Sequence, residues 1–92
     1  MIIEIKKFGK FLISRPAGKE AASIMLSSFI PLTDSEMIEL NFSGVEVVAP
    51  SWLDEVLTLL RDRYGKRVVC MQSENLSLQE SLKIIEALDD QK

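Results

Sequence analysis

Apolar and charged residues alternate at the start of the chain. Met1, Ile3 and Ile5 are set against Glu4 and Lys6, the period-two pattern of a strand with one buried face. Lys7-Phe8-Gly9-Lys10 reads as a turn in which Gly9 is free to take positive φ. Phe11-Leu12-Ile13 reads as a second short strand, so the opening predicts a hairpin. The period then changes. Ser14 precedes Arg15-Pro16-Ala17-Gly18, and a serine followed by proline in the first turn is a helix start, because that turn has no intrahelical use for its N–H groups. Ala17, Ala21, Ile24 or Met25, and Phe29 recur at helical spacing, and Pro31 stops the helix.

Thr33-Asp34-Ser35 is loop-like. Ile38, Leu40 and Phe42 then alternate with Glu39 and Asn41 as a strand, Ser43-Gly44 turns the chain, and Val45 to Val48 forms an extended continuation. A second helix has Ser51 as its predicted N-cap, with Asp54 three residues on in a capping-box variant. Leu53, Val56 or Leu57, Leu60 and Tyr64 form its apolar stripe, Arg61 and Arg63 complement the negative end of its dipole, and Gly65 caps it. Arg67 to Met71 is an almost continuous apolar run, which predicts a strand covered on both faces. The last helix opens at Ser77 with Glu80 as capping partner, buries Leu78, Leu82, Ile85 and Leu88, and leaves Asp89-Asp90 as a fraying acidic tail. The order β-β-α-β-α-β-α predicts an α/β fold, a mixed and largely parallel sheet with helices packed on it. Ninety-two residues with no linker or internal repeat give one domain spanning 1–92.

Composition narrows the function classes. With 47% hydrophobic and 27% charged residues the chain is globular in type, and a net charge of −3 argues against nucleic acid as the main partner. The charge is uneven, because the first 20 residues hold five of the 11 lysines and arginines but only two of the 14 acidic residues. That basic run, with Phe8 and Phe11 inside it, reads as the solvated side of the hairpin or as a surface for an acidic partner. There is no histidine, so the usual neutral-pH general base and the commonest metal ligand are missing. Cys70 stands alone within Val68-Val69-Cys70-Met71, where it reads as a buried small hydrophobe. The apolar runs are far shorter than the roughly 18 residues of a membrane span and no signal peptide is visible, so the expected setting is cytoplasmic, with no membrane and no cofactor.

Candidate chemistry gathers at the two predicted helix starts. The glycines at 9, 18, 44 and 65 stand apart, and no phosphate-cradling loop or dinucleotide fingerprint forms around them. Asp54 and Glu55 read as dipole complements, although a carboxylate pair has the chemistry for acid–base work. Ser51, at a helix N-terminus after a strand, is either a cap or a phosphorylation site whose phosphate the free N–H groups would stabilise. Ser14 and Arg15 form a possible anion-binding pair, since arginine forks onto phosphate or carboxylate, and the alternative for Arg15 is a salt bridge across the hairpin. Trp52 is either an anchor for a partner or a lid on a thin core.

The stretch LNFSGVEVVAPSWL, Leu40 to Leu53, resembles the signature of STAS domains, the sulfate-transporter and anti-sigma-factor-antagonist fold, in which a DFSGVEFIDSSGL-type sequence joins a strand to a helix. Ser14-Arg15-x-x-Gly18 and the Pro50-Ser51-aromatic pattern are closer to the STAS-like group of unknown function. The resemblance implies a small switch or docking domain and no enzyme. Its partner would be a kinase-type anti-sigma factor or another histidine-kinase-like ATPase. In the classical members a serine at the head of this helix is phosphorylated. That position falls here on Pro50, the preceding aspartate on Ala49 and the later glycine on Trp52, so only Ser51 survives, at the second serine. The expectation is therefore a non-catalytic regulatory module docking through Ser43, Pro50, Ser51, Trp52, Asp54 and Glu55. The alternative is a small-anion or nucleotide binder, or an enzyme, built on Arg15 and Ser51.

Overall fold

Every strand pairing in the computed structural model, which describes residues 1–88 in full and the helical backbone of 89 and 90, is parallel. β1 (Ile2–Glu4) lies beside β3 (Ile38–Asn41), which lies beside β5 (Val68–Cys70), so that Ile3, Leu40 and Cys70 stand in one row. A second ladder pairs β2 (Phe11–Leu12) with β4 (Val47–Val48). Residues 2–12 and 38–48 are thus two interrupted strands running side by side in the same direction.

The expected hairpin is corrected by this arrangement. Ile5–Phe8 winds into a 3-10 turn, and Gly9 at φ 127° lets the chain resume its course instead of reversing. Ile5 is fully buried, so the turn is pinned into the core on the same side as Ile3 and Leu12. Val47–Val48 is likewise a separate strand and no continuation of β3. The chain turns at Ser43-Gly44, where Gly44 has φ 87° and the Val45 N–H donates to the Phe42 carbonyl at 3.0 Å.

Because the strands lie in chain order and parallel crossovers are right-handed, the connecting helices share one face of the sheet. α1 (Arg15–Ser28) and α2 (Pro50–Tyr64) cover that face, over Ile3, Ile38, Leu40 and Val68. The opposite face, with Ile2, Glu4, Glu39 and Val69, is exposed or half-buried. This explains why β5 is shorter than the expected Arg67–Met71 and covered on one side only. Arg67 closes a 3-10 turn, Gly65–Arg67, ahead of it.

α1 begins as expected, with the Ser14 hydroxyl accepting the Ala17 N–H at 3.2 Å and Pro16 in the first turn. Its buried face is Gly18, Ala21, Ala22 and Met25, one step round from the predicted stripe, because α2 approaches so closely. A Cβ on Gly18 would lie 2.7 Å from the Trp52 carbonyl oxygen. α2 ends as predicted, with Arg61 and Arg63 in its last turn and Gly65 at φ 64° beyond it.

α3 (Leu76–Asp90) is capped by Asn75, not Ser77. Asn75 Oδ1 accepts the Leu78 N–H at 3.0 Å, and its amide donates to the Val45 carbonyl at 2.8 Å. Ser77 instead turns onto β4, accepting from the Val48 N–H at 2.6 Å and donating to the Val48 carbonyl at 2.9 Å, and the buried Ser81 donates to that same carbonyl at 2.6 Å. The expected capping role of Glu80 is replaced by a 3.6 Å ion pair with Lys83. Leu78 and Ile85 are buried, whereas Leu88 is exposed. The side chains of Asp89 and Asp90, expected to form a fraying tail, lie outside the described residues.

Candidate functional site

The start of α2 is where the ends of β2 and β4 meet the starts of α1 and α3. Asn41 Oδ1 accepts the Ser43 N–H at 3.0 Å, which holds the turn after β3. The chain then crosses β4 and enters α2 at Pro50, whose missing N–H costs nothing in a first helical turn. Ala49 occupies the N-cap position and supplies no side-chain bond. Ser51 is therefore inside the helix, and its expected cap role is corrected. Its hydroxyl donates 2.9 Å to the Ile13 carbonyl, tying the head of α2 to the segment leading into α1.

Trp52 is 1% exposed, packed edge-on to Phe42 with ring centroids 6.4 Å apart. A side chain sealed between α1 and the sheet has no surface to offer, so Trp52 leaves the docking set and belongs to the core. The remaining members stay near the surface: Ser43 is exposed, and Pro50, Ser51, Asp54 and Glu55 are half-buried.

Arg15 reaches across to α2, with Nη1 2.8 Å from Glu55 Oε2 and 3.1 Å from Asp54 Oδ2. These hydrogen bonds, Glu55 first, raise the pKa of the guanidinium further above its ordinary range. The salt bridge drawn for Arg15 is corrected in its partner, since it reaches α2 and not across a hairpin, and an anion at Ser14 and Arg15 would compete with two carboxylates for the guanidinium and with the Ala17 N–H for the hydroxyl. An open depression of about 520 Å³ beside Arg15 is lined by Asp54, Glu55, Thr58, Arg61 and Asp62 and does not reach Ser51. An anion entering there would meet three carboxylates. The Asp54 expected to complete a capping box belongs to this ion pair instead.

The junction has members that sequence reasoning missed. Ile13, Val47 and Leu76 are 50%, 36% and 73% exposed, and each is next in the chain to a residue bonded across the junction. Ile13 carries the carbonyl that Ser51 binds, Val47 precedes the Val48 held by Ser77, and Leu76 sits between Asn75 and Ser77. The available signal was an apolar residue at the end of each element, where the alternation has already placed a neighbour in the core.

The small α/β architecture is consistent with a STAS-like fold. The family described as STAS-like domain of unknown function (DUF4325) matches residues 20–91, and the chain belongs to that family. The matched span contains the whole Leu40–Leu53 stretch and begins after Ser14, Arg15 and Gly18. Comparison with curated proteins and with solved structures gave no match. Among the described residues, no helix is long and apolar enough to cross a membrane.

Proposed function

We propose that this domain is a non-catalytic regulatory module that docks a protein partner at the junction around Ser51, the partner being an ATPase of the histidine-kinase-like class. The observation that carries the reading is that three exposed apolar residues, Ile13, Val47 and Leu76, stand in segments that side-chain hydrogen bonds fasten to one another around the head of α2 and β4. Exposed apolar groups on a pre-organised frame lose little conformational entropy on association, and their burial supplies most of the binding free energy. The acidic edge supplied by Asp54 and Glu55, partly neutralised by Arg15, gives the surface an orientation and favours a basic group on the partner there. The STAS-like family supports a regulatory role, and the ATPase class comes from the resemblance of Leu40–Leu53 to the anti-sigma-factor antagonists.

The test is a titration of purified histidine-kinase-like ATPases from the host against the wild-type domain and against Ile13→Asp and Val47→Asp. The expected result is binding by at least one ATPase, weakened about tenfold or more by either substitution, with unchanged circular dichroism. No binding by any such ATPase, or equal binding by the variants, would overturn the reading.

A further inference from the structure

We infer that the free edge of β2 and the neighbouring face of α1 form a second docking site, a groove that accepts an extended acidic segment of another protein as an added strand. The inference goes beyond the junction surface, which it adjoins through the β2–β4 ladder, where Phe11 stands in register with Val47. Its first support is the ladder itself. The Lys10 carbonyl accepts from the Val47 N–H at 3.0 Å and the Leu12 carbonyl from the Ala49 N–H at 2.8 Å, so residues 10 and 12 face β4. In a parallel ladder the intervening residue then turns its own N–H and C=O to the opposite side. The backbone of Phe11 thus presents one donor and one acceptor outward, with no partner for either among the described residues.

The second support is the space alongside. A groove of about 320 Å³ separates this strand edge from α1, with Phe8 and Phe11 on the strand wall and Ala17, Ala21 and Ile24 on the helix wall. Phe11 is 63% exposed, and Ile24 is exposed beside it. The two alanines leave room for one apolar side chain of the incoming segment. A strand edge flanked by a helix is the arrangement in which peptide-recognition domains add a strand, with backbone bonds giving affinity and the flanking pocket giving specificity.

Charge decides the kind of segment. Lys7 lines the groove and Lys10 adjoins Phe11 in the chain, and neither takes part in an ion pair among the described residues, whereas Glu20 is the one acidic group lining the groove. The cationic excess sits in a chain that is acidic overall, so the groove favours acidic side chains that the rest of the surface repels.

The experiment selects binders from a displayed library of random nonapeptides on the full chain. Recovered sequences are then made as soluble peptides and measured by calorimetry against wild type, Ala17→Phe and Lys7→Glu/Lys10→Glu. The expected sequences alternate apolar and acidic residues. N-methylation of single backbone amides should weaken binding about tenfold or more at one or two positions, as loss of a main-chain bond requires. Ala17→Phe, which fills the groove from an exposed position, should abolish binding, and the double charge reversal should weaken it about tenfold. The inference is overturned by selection of basic sequences or of none, by indifference to every N-methyl group, or by variants that bind as wild type does. Self-association of the wild type in sedimentation that Ala17→Phe removes would also overturn it, since a second copy would then occupy the groove.

Discussion

Gly18 and Trp52 set the distance between the two principal helices. With 2.7 Å between a would-be Cβ and the Trp52 carbonyl, Gly18→Ala must move backbone, and the helix-propensity gain of about 1 kcal/mol does not offset that shift. Net destabilisation of about 1–3 kcal/mol by urea denaturation is expected. Trp52→Ala should be costlier, about 3–5 kcal/mol, because it empties a fully buried site against Phe42. Cys70 gives a pH signature. Burial pushes its thiol up from the usual 9.0 to about 11. The unfolded chain therefore ionises first, so the stability contributed by the neutral thiol is complete below pH 9 and is lost as pH rises toward 11. Chemical denaturation between pH 8 and 11 should show a downward slope that Cys70→Ala removes. Over the same range the native thiol should resist alkylation until the upper end, since only the thiolate reacts.

Val48 is the point where α3 is fastened to the sheet. Two hydroxyls, from Ser77 and Ser81, converge on one carbonyl, and either alone keeps that buried acceptor satisfied. Ser81→Ala should cost about 1 kcal/mol and Ser77→Ala more, about 1–3 kcal/mol, because it also removes the acceptor of the Val48 N–H, and the double variant should cost more than their sum, because the last partner of the Val48 carbonyl then disappears. A double-mutant cycle with coupling near zero would show that the clamp is not shared. This clamp also marks what could be read from sequence. Helical periods, the Ser14 cap, the Gly65 stop and the α/β class were legible, since each depends on a residue's own preferences. The roles of Ser51 and Ser77 were not. A serine hydroxyl serves equally well as a cap or as a link to another element, and only the position of the Ile13 and Val48 carbonyls decides. The direction of β2 escaped for the same reason, because a short strand after a glycine fits a reversal or a resumption until its partner is known.

At the scale of the whole molecule, the junction surface lies apart from the single tryptophan, which is buried beneath the groove beside β2. Trp52 is therefore a reporter of the frame and not of contact: its native emission should be blue-shifted, resistant to acrylamide and unchanged on addition of a bound ATPase partner. A red shift on binding would mean that α1 and α2 separate, and that docking remodels the core. The candidate site was legible as a location, Leu40 to Leu53, but not as a set of contact residues. The resemblance marked the segment, whereas the outward-facing groups there, Ile13 and Leu76 included, come from parts of the chain that only folding assembles.

The all-parallel ladders also constrain the order of events in folding. No strand among the described residues pairs with its immediate successor, so each pairing closes a loop that contains a whole helix, α1 between β1 and β3 and α2 between β3 and β5. Long loop closures of this kind precede any reward from strand contacts, which places refolding on the millisecond-to-second scale and not in microseconds. α1 is the one element of the first 37 residues able to form early, and while it waits, the unpaired β1 and the edge of β2 are open to other chains. We expect α1 and α2 to meet at Gly18 before the strands pair, and stopped-flow refolding of Gly18→Ala should then show slowing in the folding limb, whereas a change confined to the unfolding limb would place that meeting after the barrier.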